Sequence, residues 1–158
     1  MTESQCWVVD ARGAGPGGQV QLRFPLCVVA RFRDLALADV EVLIGIGLDA
    51  ERRIVCERRM TGTAVGVAAA PRDLLAPALA AGAVALIAVH NHPSGMATPS
   101  QADLAFTRRL GAAAQLCGVA LLDHVIVASG GWCSLRESGW LRTAAAQARD
   151  VVDTWGWP

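Results

Sequence analysis

Residues 84–89 form an uninterrupted apolar run between Gly82 and the sequence His90-Asn91-His92-Pro93-Ser94-Gly95. A short apolar run with a glycine before it and a Pro/Ser/Gly cluster after it has the pattern of a fully buried strand emptying into a loop. Positions i and i+2 of an extended backbone point to the same side. His90 and His92 therefore leave the sheet together.

The following residues add a third polar group. Thr98-Pro99-Ser100-Gln101 reads as a helix start, with Thr98 as N-cap, Pro99 at the first helical position and Gln101 closing a capping box. Phe106, Leu110, Ala113, Ala114 and Cys117 then recur at helical spacing and mark the face turned to the core. Counting back by threes from Phe106 gives Asp103 and Ser100, so an acid and a hydroxyl begin a stripe that is otherwise apolar. An inward carboxylate is costly unless it meets a cation or strong donors. Ser-x-x-Asp at a helix start is ordinarily only a cap, and a lone histidine at a strand end is ordinarily a hydrogen-bonded rim residue. Two same-side imidazoles and an inward carboxylate together make a three-ligand set suited to zinc, with a fourth position left for water.

The surrounding chain fits one compact domain: 158 residues, 53% hydrophobic and 18% charged. No apolar run reaches the roughly 18 residues that span a bilayer, and no membrane association is expected. Residues 1–5 lack a basic segment leading into an apolar one, so no export signal is expected. The five cysteines are scattered, without a Cys-x-x-Cys pair, which suits a reducing cytoplasm and argues against a thiolate metal site. Cys117, on the inward stripe, reads as a small core residue. Net charge is zero and every basic side chain is arginine, so the global footprint of a nucleic-acid binder is missing. The one cluster of positive charge, residues 51–59, reads as an exposed edge strand guarded by charge.

In chain order, residues 1–40 are expected to form a hairpin (strands 5–10 and 19–24) and a helix from Leu26 to Ala38. Residues 41–142 form the core and residues 143–158 a tail ending Trp155-Gly156-Trp157-Pro158. Residues 41–49 read as a buried strand pairing with a second strand that ends at Met60, and Gly45 and Gly47 leave room for a ligand or another backbone. A short helix follows from Pro71 toward Ala81, with a kink or early break at Pro77. The helix beginning at Pro99 should stop at Gly118. Residues 119–128 are another buried strand, and Gly130-Gly131 turns into residues 132–135. Strands and helices alternating in this way give an α/β or α+β sandwich with a mixed sheet.

His90-x-His92, seven residues, Ser100, two residues and Asp103 resembles the signature of the JAMM (JAB/MPN) metalloprotease superfamily, most of all its bacterial RadC-like members. Gly62-Thr63, Pro71-Arg72-Asp73, Thr107-Arg108-Arg109-Leu110 and Leu121-Leu122-Asp123-His124-Val125-Ile126-Val127 add to a likeness that runs from about Glu41 to Trp140. It implies a JAB/MPN-type, cytidine deaminase-like three-layer sandwich and a zinc ion held by His90, His92 and Asp103. The family also needs a glutamate on an earlier strand. The residues alone leave Glu41, Asp49, Glu51 and Glu57 open, and alignment on Leu48-Asp49 places it on Glu41.

The resemblance implies a zinc-dependent hydrolase of a peptide, isopeptide or related amide bond, acting on a peptide or protein conjugate. Glu41 would be the general base and Ser100 the oxyanion donor. Asn91 points to the opposite side and ties down a loop, and His124 reads as a satisfied core histidine rather than a support for the metal. The alternatives are a RadC-like DNA-repair-associated or DNA-processing protein and a non-catalytic JAB assembly module. Two departures stand out. Met96-Ala97 follows the Pro-Ser-Gly turn where relatives carry an acid, and residues 1–40 are too few for the helical N-terminal region of the full-length form, which weakens any inference of DNA binding. A cytidine deaminase is disfavoured, because it needs His-x-Glu with Pro-Cys-x-x-Cys.

Overall fold

The computed structural model describes residue 22 and residues 25–64 and 66–141. Apart from Leu22, the expected N-terminal hairpin lies outside these residues, and so does the tail.

Strands β1 (Val42–Leu48), β2 (Ile54–Thr61), β3 (Ala85–Asn91), β4 (Ala120–Ala128) and β5 (Gly131–Ser134) form one sheet in the order β2-β1-β3-β4-β5. β3 and β4 are parallel and every other pair is antiparallel, so the sheet is mixed. Helices α1 (Pro25–Phe32), α2 (Pro71–Ala80) and α3 (Gln101–Leu116) flank it. Period-two alternation divides the side chains between two cores. Val42, Ile44, Ile46 and Leu48 of β1, with Ile87, Val89, Val125 and Val127, pack with Val28 and Phe32 of α1. Leu43, Leu86 and Ala88 face the other way and pack against Leu74, Leu75 and Ala78 of α2 and Leu110 and Ala114 of α3. The result is the expected three-layer sandwich with a mixed sheet.

β2 is the sheet edge, and its side chains are largely exposed along Glu57-Arg58-Arg59, as the charged cluster implied. The helix expected to reach Ala38 is α-helical only to Phe32 and tightens into a 3₁₀ turn over Arg33–Leu37. Gly118 takes φ +71 just beyond the C-cap of α3, the left-handed conformation that ends the helix where expected.

Three local readings need correction. α2 runs through Pro77 to Ala80 without a break: Leu74, Leu75 and Ala78 are all buried, and this packing outweighs the one backbone bond that proline removes. Cys117 is exposed because it is the C-cap, just past the last turn. The buried stripe of α3 follows Leu104, Thr107, Leu110 and Ala114. The space at Gly45 and Gly47 is already filled. A Cβ on Gly45 would lie 2.8 Å from Leu74 Cδ2, and one on Gly47 would lie 2.7 Å from Cys56 Sγ. These glycines admit α2 and its neighbours, leaving no room there for a ligand.

Candidate metal centre

The centre forms where β3 ends and α3 begins. His90 is the last-but-one residue of β3, and His92 follows it on the same face. The turn at Pro93–Gly95 reverses the chain, with Gly95 at φ +84, a conformation glycine adopts without strain. α3 then starts two residues later than its sequence suggested. Its N-cap is Ser100, not Thr98, and the reciprocal box is made with Asp103, not Gln101. Ser100 Oγ accepts from the Asp103 N–H at 3.1 Å, and Asp103 Oδ2 accepts from the Ser100 N–H at 2.7 Å. An acid in this place closes the box as well as Gln101 would, and its carboxylate also faces two histidines.

The donor atoms converge. His90 Nε2 lies 2.9 Å from His92 Nε2 and 3.1 Å from Asp103 Oδ1, and His92 Nε2 lies 3.2 Å from Asp103 Oδ2. Zinc bonds of about 2.0–2.1 Å arranged tetrahedrally put ligand atoms about 3.3 Å apart, so the spacing fits a first-row divalent cation. The His92 Nδ1–H donates to the Met96 carbonyl oxygen at 2.8 Å, which turns Nε2 toward the other two groups. Among the described residues, these three are the one such group of His, Cys, Asp or Glu able to hold a metal ion.

The electrostatics show how tightly the groups are coupled. The hydrogen bond to Asp103 raises the His92 pKa against the opposing effect of burial. The Met96 carbonyl and the charges of Asp103 and Glu41 act the same way. Burial pushes the Asp103 carboxyl up, but hydrogen bonds from His90 and His92 outweigh it and hold the group ionised far below the carboxylate range.

Of the four acids the residues left open, Glu41 lines the cleft with the three donors. Asp49 and Glu51 bind Arg53 in the β1–β2 turn at the other end of β1, and Glu57 pairs with Arg31. The sheet register explains the difference. Leu43 pairs with His90 across the antiparallel β1–β3 ladder, so two residues further along Glu41 stands opposite His92, on the same face. Its backbone is pinned as well: Glu41 N–H donates to Thr63 O and Gly62 N–H donates to Glu41 O, each at 2.8 Å.

Asn91 points to the other face, as expected, and ties down the segment leading into β1. Its Oδ1 accepts from Val42 N–H at 2.7 Å and its Nδ2 donates to Val40 O at 3.0 Å. His124 is the satisfied core histidine its apolar strand implied, and it also touches His90. Both its nitrogens are satisfied: Nε2 lies 2.7 Å from His90 Nδ1, and Nδ1 lies 2.6 Å from Thr107 Oγ1. Burial, the charge of His90 and that of His92 hold its pKa well below the usual histidine value, with Asp103 opposing. Parallel pairing of β3 and β4 puts Ala88 beside His124, which sets that ring under His90. Thr107, named above only within the family likeness, is the partner on the other side of His124. Its signal was a polar residue four positions after Asp103 on the inward stripe of α3.

The cleft over these groups encloses about 450 Å³. Leu43, Val67, Met96 and Phe106 give it apolar walls, and Arg109 is the one arginine of its lining among the described residues. The sequence model of the RadC-like JAB domain family matches residues 26–140, most of the chain. This chain belongs to the RadC-like JAB domain family. It is 49% identical over 102 residues to a UPF0758 protein of Azotobacter vinelandii, covering 64% of this chain and 46% of that one. It is 44% identical over 126 residues to a UPF0758 protein of Acidithiobacillus ferrooxidans, covering 79% and 55%. A UPF0758 protein of Cellvibrio japonicus is 45% identical over 102 residues, 64% of this chain and 46% of that relative. The RadC-like chain thus spans about half the length of the curated relatives it matches. Among its described residues, no helix is long and apolar enough to cross a membrane.

Proposed function

We propose that this RadC-like domain is a zinc-dependent amide hydrolase acting on a peptide, isopeptide or related bond. The observation that carries the reading is the convergence of two imidazole nitrogens and a carboxylate within 3.2 Å of one another at the floor of an open cleft. His90, His92 and Asp103 would hold the metal. Bound there, zinc supplies Lewis acidity, polarising a carbonyl and lowering the pKa of a water toward ~7.

The chain's own groups do the rest. Glu41, across the cleft from His92, takes a proton from the attacking water as its oxygen bonds to the carbonyl carbon. It returns that proton to the amide nitrogen as the C–N bond breaks, giving a carboxylic acid and an amine. Ser100 Oγ already accepts from the Asp103 N–H, so its own hydrogen is free to donate to the carbonyl oxygen as negative charge builds there. The apolar walls hold the side chains flanking the bond. Arg109 has no hydrogen-bond or ion-pair partner among the described residues, and it gives the cleft a cation for an acidic group of the substrate. The four described cysteines are free thiols, which suits a cytoplasmic site of action.

Metal analysis of the purified chain tests the reading. About one zinc per chain is expected, and His92→Ala should lose it. Full zinc occupancy in that variant would remove the centre from its assigned place.

A further inference from the structure

Beneath His90, four groups form a hydrogen-bonded chain that runs through His124 and Thr107 back to Asp103. Thr107 Oγ1 donates to the Asp103 carbonyl oxygen at 2.6 Å and lies 2.6 Å from His124 Nδ1. His124 Nε2 lies 2.7 Å from His90 Nδ1. For a neutral His124 ring, these distances leave one assignment of hydrogens. A carbonyl oxygen only accepts, so the single hydroxyl hydrogen of Thr107 is committed to Asp103. Thr107 Oγ1 must then accept from His124, which puts a hydrogen on His124 Nδ1. His124 is 1% exposed, and so enclosed a ring is held in its neutral form, bare at Nε2. A bare Nε2 accepts from the Nδ1–H of His90. With its Nδ1–H committed to His124, His90 has Nε2 as the nitrogen available to a metal, facing His92 and Asp103.

We propose that His124 is a positioning residue, locked by Thr107 as its Nδ1–H tautomer, and that it holds His90 in the tautomer able to bind a metal. The direction of the relay is set by the backbone of α3. Asp103 offers its carboxylate to the centre and its carbonyl to the far end of the chain of hydrogen bonds. Its one residue therefore fixes a ligand directly and a second ligand at a distance. Without the relay His90 is free to carry its hydrogen on Nε2, the tautomer that cannot ligate, and to turn about its side-chain bonds.

The proposal rests on the metal reading above, and the test separates the two. Removing the His124 ring would leave a buried hole, so Thr107 carries the mutations. Thr107→Val keeps the shape and loses the hydroxyl, and Thr107→Ser keeps the hydroxyl. In the full chain, long-range ¹H–¹⁵N correlation of the imidazoles should show His124 and His90 each protonated at Nδ1, with and without zinc. Competition with a chelator should show zinc affinity falling about 10–100-fold in Thr107→Val and returning to within a few-fold of wild type in Thr107→Ser. A hydrogen on His124 Nε2 in the wild-type spectrum overturns the relay, as does wild-type zinc affinity in a folded Thr107→Val. Failure of the wild-type chain to bind zinc overturns the hydrolase reading and, with it, the ligand-holding role.

Discussion

Ser100 and Asp103 cap each other at the start of α3, and Asp103 Oδ2, which takes the Ser100 N–H at 2.7 Å, also lies 3.2 Å from His92 Nε2. Helix start and candidate metal centre are therefore built from the same atoms. Reading Ser-x-x-Asp as either a cap or a ligand motif poses a false choice, because a carboxylate has enough lone pairs for both.

The two residues should separate by experiment. Ser100→Ala removes the acceptor for the Asp103 N–H and should cost about 1 kcal/mol of helix stability. It should retain about one zinc per chain and slow hydrolysis by about 10²–10³. Asp103→Asn keeps a capping oxygen but loses the charge, and zinc should be lost. Thermal unfolding in chelator, metal analysis and turnover of a peptide substrate measure these effects. A Ser100→Ala rate within a few-fold of wild type would sink the oxyanion role.

Glu41→Gln should keep the fold and the metal and lose hydrolysis by about 10²–10⁴, the usual worth of a positioned base. Its side chain lines the cleft without completing the three-atom donor set. Equal zinc content with undiminished turnover would clear Glu41 of that duty.

Asn91 is fully buried, and its amide bridges β3 to the segment 40–42. Asn91→Ala should cost about 2–3 kcal/mol, because Val42 N–H and Val40 O would be left without that partner. The loss should fall on turnover more than on zinc affinity, since the amide holds the backbone on either side of Glu41 and touches none of the three ligands. Chemical denaturation and zinc competition on the same variant would read the two effects. Equal losses in zinc affinity and turnover would argue against it.

Zinc affinity should fall with acid through a single proton. In the metal-free chain the His92 value is raised above 6.5, so its contribution to stability is full below 6.5 and is lost as pH rises through the raised value. Asp103 is depressed below 3.8, so its contribution is present above 3.8 and is lost as pH falls through the lowered value. Between those limits His92 is the group that must shed a proton before it can ligate. Apparent affinity should drop about tenfold per pH unit below the His92 value and level off above it. Proton release measured by calorimetry in buffers of different ionisation enthalpy should give about one proton per zinc on the acid side. Release of two protons would mean that a second member of the donor set is also protonated there, against the single-proton assignment.

Gly62→Ala should destabilise the chain by about 1–3 kcal/mol and lower turnover, because an added Cβ would collide with the Gly66 carbonyl oxygen in the loop that pins Glu41. Urea unfolding and a rate assay check both. A neutral effect on each would show that the loop yields without moving Glu41.

The sequence by itself determined the strand, the turn and the helix that carry His90, His92 and Asp103, because all three lie within 14 residues and local periodicity states which way each side chain points. It also determined the edge character of β2, the end of α3 at Gly118 and the alternation that makes a sandwich. Tertiary structure alone decided the rest. Glu41 reaches the cleft through a register between β1 and β3 that joins residues 47 apart, Leu43 and His90. His124 reaches His90 through a parallel pairing across α3. The filling of Gly45 and Gly47 by Leu74 and Cys56, and the persistence of α2 through Pro77, are likewise packing outcomes. Periodicity encodes which face a side chain occupies. What stands opposite that face depends on contacts between distant segments, and these are fixed only when the whole sheet closes on its two cores.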